Sequence, residues 1–389
     1  MSHLAEYDEL NPFPWYDRMR SESPVQVNAR GVVNVFGYAD VQRALSDHEY
    51  FSSNFSGGHD ENHPISASLI STDPPRHRDL RSLVSQAFTP RRIELLTPRI
   101  EQIAKELLDG VAGKGEMDIV ADFAYPLPVI VIAEMMGIPS EHRDRFKRWS
   151  DAVVTGSHEI ESAGVDGVIE GDPQREMAAY FMQLMAERRQ HPGDDLISGL
   201  LAAQIDGQHL SDIELMGFCV LLLVAGNETT TNLITNAMLC FLEQPALFAR
   251  LRKQPEDLPA AIEEVLRYRS PVQSMYRVCV KATRLGQVDI RAGQPVIAWI
   301  GSANRDEAQF AHADHFDVDR DGNRHIAFGY GVHFCLGAPL ARLEAKLALT
   351  RLLSQYADFA EVPGSLREPI GSSVVYGLKS LPITCRTSA

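Results

Sequence analysis

Hydrophobic and polar positions alternate through "PVQVNARGVVNVF", which predicts an early hairpin turning near Arg30-Gly31. The period then lengthens to that of a helix in "YADVQRALSD". From Phe51 to Thr72 neither period holds, and isolated apolar residues among Ser, Gly, His and Asn predict a long loop acting as a lid. Helical spacing returns over Pro75 to Phe88, Pro90 to Val111, Phe123 to Met136, Glu141 to Val154, Pro173 to Gln190 and Asp195 to Gln204, with Pro and Gly at the boundaries. Ser211 to Glu243 predicts one helix of roughly 33 residues, about 50 Å long at 1.5 Å per residue. Helices near Pro245 to Lys253 and Leu258 to Arg269 precede strand-like "SMYRVCVKA", "TRLGQVDIR" and "PVIAWI". An irregular stretch from Gly301 to Gly331, a helix from Leu336 to Tyr356 and short strands complete the pattern. With no internal repeat and no linker-like stretch, it predicts one mainly α domain with small β-sheets across residues 1–389.

Composition changes this picture little. The 389 residues are 44% hydrophobic and 23% charged, an ordinary globular balance. A formal net charge of -15 argues against a general nucleic-acid binder. The N-terminal "MSHLAEYDELNPFPWYDRMRSE" lacks a basic start followed by an apolar core, so neither a signal peptide nor an anchor is expected. The longest apolar run, "FCVLLLVAG" at Phe218 to Gly226, falls short of the roughly 18 residues of a membrane span and reads as a buried helix. Five cysteines, Cys219, Cys240, Cys279, Cys335 and Cys385, form no CxxC pair and suit a reducing, cytoplasmic setting.

One of them stands apart. In "FGYGVHFCLG", glycines at 329, 331 and 337 let the backbone approach a flat or bulky object and place Cys335 at a helix start, with Pro339 suited to the first turn. Unpaired N–H groups and the positive helix end favour a thiolate there, a competent metal ligand. Zinc competes on paper, because His333, His325, His312 and His315 lie nearby, but no paired CxxC or HxxxH knuckle accompanies them. A buried structural cysteine is the plainer alternative.

Three other segments carry unusual chemistry. "LLLVAGNETTTNLI" puts Glu228 and a run of hydroxyls inside an apolar helix, where they are costly unless used, or else form a solvated polar patch. "EEVLRY" sets Glu264 and Arg267 three apart on one helix face. "TDPPRHRDLRSLV" sets His77 and Arg81 one turn apart, as in an exposed arginine-rich helix or a binding face.

Position by position, "FGYGVHFCLG" resembles the F-G-x-G-x-H-x-C-x-G haem signature of the cytochrome P450 family, and the other three segments resemble that family's A/G-G-x-D/E-T, E-x-x-R and H-x-x-x-R motifs in the same order. The resemblance covers nearly the whole chain. It implies a triangular helical prism with haem b between the long helix and the helix after the cysteine loop. It also implies Cys335 as axial thiolate and only metal ligand, Phe328 packed near the sulfur, and Gly329 and Gly337 bringing backbone close to the porphyrin. His77, Arg81, Arg277 and His333 would neutralise the propionates, Ala225 and Gly226 would leave room for dioxygen, and Glu228 and Thr229 would relay protons. Thr230, Thr231 and Asn232 have less defined roles. Arg320 of "FDVDR" would join Glu264 and Arg267 in a structural network.

The implied activity is oxygen insertion from O2 into an apolar small molecule. Electrons would come from a separate ferredoxin or flavodoxin with its reductase, docked on a basic patch drawn from Arg76, Arg78, Arg91, Arg92 and Arg342. A peroxygenase is the rival enzyme, disfavoured by the retained Glu228-Thr229 pair; a non-catalytic haem sensor is the rival from another class. The pocket is expected under the loop 51–72, the segment 153–170, the wall at Leu221, Val224 and Ala225, and the segments 272–275 and 374–376.

Overall fold

The structure, a computed structural model, describes residues 7–54, 64–142, 145–146, 148–149 and 172–387. They fall into two compact units, one from the spans 1–55, 104–124 and 229–389, the other from 56–103 and 125–228.

The first unit holds the sheets. The expected hairpin is present as β1 (Val25–Val27) and β2 (Val33–Val35), antiparallel with Val25 opposite Val35, and Gly31 takes a left-handed φ of 80° in its turn. β3 (Phe51–Ser52), β5 (Met275–Cys279) and β8 (Pro295–Ala298) complete a five-stranded sheet in the order β1-β2-β8-β5-β3. Its buried face, including Val33, Val35, Cys279, Val296 and Ala298, packs with Val41, Ala44 and Leu45 of the Tyr38–Ser46 helix into one apolar core. β4 (Glu116–Asp118) pairs with β10 (Pro382–Thr387), which pairs with β9 (Tyr356–Glu361); β6 (Thr283–Leu285) and β7 (Val288–Ile290) form the hairpin of "TRLGQVDIR".

The second unit is helical in its described residues. Its Arg76–Ala87 helix meets the Leu196–Ala202 helix at Gly199, where an added Cβ would lie 3.2 Å from the Cβ of Ala87. Asp195 caps the latter helix by accepting the Ser198 N–H at 2.8 Å, and also accepts from Arg188 Nε at 2.6 Å.

The long helix runs over Asp212–Glu243, 32 residues. A capping box starts it: the Ser211 hydroxyl accepts the Glu214 N–H at 3.3 Å, and the Glu214 carboxylate accepts the Ser211 N–H at 2.9 Å. Pro245 ends it, because the residue before a proline leaves the helical region, as Gln244 does at φ -131° and ψ 75°. By length and apolar composition it is the one helix among the described residues that could cross a bilayer, and half of its most apolar stretch is buried within the protein. Asn227, Thr230, Thr231, Asn232, Thr235 and Asn236 are buried in it, which suits a core helix with a polar face.

Two expectations need revision. The helix predicted from Pro90 to Val111 is two, Pro90–Leu95 and Thr97–Asp109, since Pro98 lacks an N–H and sits in the first turn of the second. The stretch after Gly301 begins inside a short helix, Ile300–Ala303. Most of the helix predicted over 141–154 and all of the 153–170 wall lie outside the described residues, as does the centre of the 51–72 lid.

Candidate functional site

The cysteine segment is a tight loop ahead of the Ala338–Gln355 helix, with Gly337 at its N-cap and Pro339 in the first turn. Gly329 and Gly331 both adopt left-handed φ, 74° and 77°. Gly331 is required twice over, because a Cβ there would lie 2.8 Å from the Cα of Ser46. The Cys335 N–H donates to the Phe328 carbonyl at 2.9 Å, closing the loop. The sulfur lies 3.9 Å from where a Cβ on Gly337 would stand, close against the helix start. Cys335 is exposed, and so are Tyr330 and Phe334 beside it.

This donor set fits a haem better than a bare metal. Among the described residues no three His, Cys, Asp or Glu side chains gather as a metal cage, so Cys335 offers a single sulfur. A lone thiolate suits a metal whose other ligands come from a macrocycle. His325 uses both ring nitrogens elsewhere: Nε2 is 3.0 Å from a Glu263 carboxylate oxygen and Nδ1 accepts the Ala327 N–H at 3.2 Å.

Two further predicted residues lie in the unit that holds the sheets. His333 Nε2 lies 3.0 Å from the hydroxyl of Ser53, which follows β3. β3 pairs with β5 as Phe51 opposite Cys279 and Ser52 opposite Val278, and Arg277 lies one residue further along β5. Arg277 is buried and donates to the Tyr276 carbonyl at 2.7 Å. A buried guanidinium and an imidazole are each suited to carboxylate recognition. No sequence motif singles out Ser53; only the fold, which brings His333 to it from 280 positions away, reveals it.

On the Arg76–Ala87 helix, His77 is buried and Arg81 half-buried, one turn apart as expected. On the long helix Ala225 is exposed, and Leu221, Leu222, Val224, Gly226, Glu228 and Thr229 are half-exposed, whereas 230–241 are all buried. An apolar turn left uncovered, with small residues at its middle, matches what a bulky flat group needs beside it. A Cβ on Gly226 would lie 2.6 Å from Ile132 Cδ1, so this glycine also admits the neighbouring Pro126–Met135 helix.

The less defined hydroxyls have packing roles. Thr231 donates to the Ala124 carbonyl at 3.2 Å, and Thr235 to the Thr231 carbonyl at 2.9 Å. Thr230 hydrogen-bonds Glu344 of the Ala338–Gln355 helix. Burial pushes the Glu344 carboxyl up to about 8 against the smaller lowering effect of Thr230, so it is neutral at pH 7. Glu344 was legible in principle: Leu340, Glu344, Ala348 and Leu352 stand four apart on one buried stripe, an acid in an apolar row.

The E-x-x-R network is assembled as expected. Glu264 and Arg267, both fully buried, form a two-bond pair at 2.7 and 2.8 Å, and Arg320 Nε reaches both Glu264 oxygens at 3.2 Å. Asp317 N–H and Asn323 Nδ2 also donate to Glu264, while Arg267 binds the carbonyls of Asn304, Ala313 and His315. Nearby, Glu263 accepts from Arg342 and His325; burial alone would raise its carboxyl, but these bonds prevail and hold it at about 2.

Of the five arginines expected in a docking patch, Arg76 pairs with Glu214, Arg92 reaches Asp194 at 3.8 Å and Arg342 pairs with Glu263 at 2.6 Å. Arg78 and Arg91 are exposed. The pocket segments 272–275 and 374–376 are joined: Val272 bridges Val375, and the Gln273 N–H donates to the Val374 carbonyl at 2.7 Å.

The profile of the family described as Cytochrome P450 matches residues 24–162 and 173–373. Cytochrome P450 109 of Bacillus spizizenii is 45% identical over 383 residues, covering 97% of this chain and 93% of that protein. Erythromycin C-12 hydroxylase of Saccharopolyspora erythraea is 39% identical over 384 residues, covering 98% and 96%. The crystal structure of CYP109E1 from Bacillus megaterium in complex with testosterone is 44% identical, with a TM-score of 0.87 over 96% of this chain and 99% of that one.

Proposed function

The chain belongs to the cytochrome P450 family, and from that premise we propose which of its residues carry the monooxygenase reaction, which substrate it takes and what reduces it. It has the family's mainly α fold with small sheets, binds haem, and is an oxidoreductase that inserts oxygen from O2 into small molecules using electrons from redox partners. The haem supplies O2 activation and oxygen-atom insertion when bound.

Cys335 is the protein's ligand to the iron. The observation that carries this assignment is an exposed sulfur at a helix start, held in a glycine loop, with no metal-binding cluster of His, Cys, Asp or Glu among the described residues. The helix end stabilises its anionic form. Arg277 and His333, the latter held by the Ser53 hydroxyl, would bind the macrocycle's carboxylates, and His77 and Arg81 would serve the same purpose. Ala225 and Gly226 keep side chains out of the space beside the long helix. The Thr229 hydroxyl and the Glu228 carboxylate hold and pass protons to the reacting centre, with water between them. In Thr229→Ala, product per electron pair falls and hydrogen peroxide released rises; unchanged coupling would remove Thr229 from the proton route. A peroxygenase reading gains nothing from Glu228 and Thr229, which serve reductive activation.

The substrate is an apolar molecule of steroid size. The joined segments 272–275 and 374–376 are mostly apolar, and the similar CYP109E1 was crystallised with testosterone. Testosterone titrated into the holoenzyme shifts the Soret band saturably; no shift with testosterone or other steroids would exclude this class. The electron donor is an acidic ferredoxin or flavodoxin, for which Arg78, Arg91 and Arg92 offer exposed cations. A cytoplasmic location suits the buried thiols of Cys219, Cys240 and Cys279.

A further inference from the structure

Glu263 precedes Glu264 by one position on the Leu258–Tyr268 helix and so points about 100° away from the buried network. Its carboxylate accepts from Arg342 Nε at 2.6 Å and from a terminal Arg342 nitrogen at 2.7 Å. It also accepts from His325 Nε2 at 3.0 Å, the tautomer fixed by the Ala327 N–H on Nδ1. Both partners flank Phe328: the Arg342 guanidinium carbon is 4.6 Å from the ring centroid, and the His325 ring centroid is 6.2 Å away. The Phe328 carbonyl in turn accepts the Cys335 N–H. One carboxylate thus ties together the two groups that wedge the residue on which the Cys335 loop closes.

We propose that Glu263 is a positioning residue for the Cys335 thiolate, fixing its loop through Arg342, His325 and Phe328 and cancelling the Arg342 charge that packs on Phe328. The inference rests on the assignment of Cys335 as the iron ligand. A two-bond arginine–carboxylate pair is geometrically rigid, and a guanidinium over an aromatic face adds a directional contact. The electrostatic consequence has a sign. With Glu263 intact, the pair packed on Phe328 is neutral; without it, a half-buried cation stands uncompensated and favours the more negative, reduced state of the centre. Removing the cation instead leaves a lone carboxylate with the opposite effect.

The test uses holoenzyme variants Glu263→Gln and Arg342→Leu, read by the midpoint potential of the haem and the spectrum of the reduced carbon monoxide complex. Glu263→Gln shifts the potential positive and raises the fraction of the complex with a thiol-type Soret band. Arg342→Leu shifts the potential negative. Shifts of the same sign, or none in either variant, would overturn the proposal even if both proteins melt earlier, since loosened packing alone cannot reverse a sign. If Glu263→Gln does not fold, a potential in Arg342→Leu that is unchanged or more positive has the same force. A parent enzyme lacking the thiolate-type band would instead strike at Cys335 itself, so the two failures are distinguishable.

Discussion

Two polar regions are buried in the unit that carries Cys335, and they are built on opposite terms. Around Glu264 both carboxylate oxygens are taken up by Arg267, Arg320, Asn323 and a backbone N–H, and the guanidinium groups spread their remaining donors over carbonyls from Asn304 to His315. By contrast, Glu344 Oε1 on the Ala338–Gln355 helix and Asn232 Nδ2 and Asn236 Oδ1 on the long helix have no hydrogen-bond partner among the described residues. Yet Glu264 and Glu344 are almost equally buried, 0% and 1% exposed. The difference lies in what surrounds them. Two cations and fixed donors make a buried carboxylate a rigid structural tie. A single hydroxyl leaves the other carboxyl protonated and half-satisfied, facing a helix rich in hydroxyls and amides.

That contrast can be broken in several ways. Glu264→Gln leaves Arg267 and Arg320 as poorly compensated buried cations and costs about 3–5 kcal/mol in thermal or denaturant unfolding of the holoenzyme. A loss below about 1 kcal/mol would show that the network contributes little to the fold.

Glu344→Gln behaves in the opposite sense. The folded state keeps the Glu344 proton up to about pH 8, whereas the unfolded chain releases it near the ordinary value of 4.5. Stability of the parent therefore falls as pH rises between those values, and the Gln variant escapes that loss. The gap in unfolding free energy should widen by up to about 1.4 kcal/mol per pH unit in that window and flatten above it. A gap independent of pH would mean that Glu344 is ionised when buried.

Smaller effects sharpen the picture. A Cβ on Gly377 would lie 2.0 Å from Asn232 Oδ1, so Gly377→Ala overpacks the long-helix face and costs about 1–3 kcal/mol, measurable by urea unfolding. Ser53→Ala removes the 3.0 Å bond to His333 and costs about 0.5–1.5 kcal/mol in the same measurement. If Ser53→Ala proved the costlier of the two, the serine would be a structural anchor on the scale of the Glu264 network rather than a modest orienting group.

What the sequence made legible follows from the range of the forces involved. The glycine loop, the helix start after Cys335, the capping box at Ser211 and the Glu264–Arg267 spacing are local, and local chemistry leaves local signatures. Ser53, Glu263 and β4 depend on partners far along the chain. Ser53 is defined by its bond to His333, 280 positions away, Glu263 by a helix that brings Arg342 back from 79 positions away, and the three-residue β4 by pairing with β10. The break at Leu96 was different, since Pro98 announced it and apolar periodicity masked it.

The account stands or falls on Cys335 as the iron ligand. The direct measurement is the reduced carbon monoxide difference spectrum of Cys335→Ser beside the parent holoenzyme, at matched haem content. The account predicts that the red-shifted thiolate-type Soret band of the parent is lost in the serine variant; its persistence there would contradict the assignment.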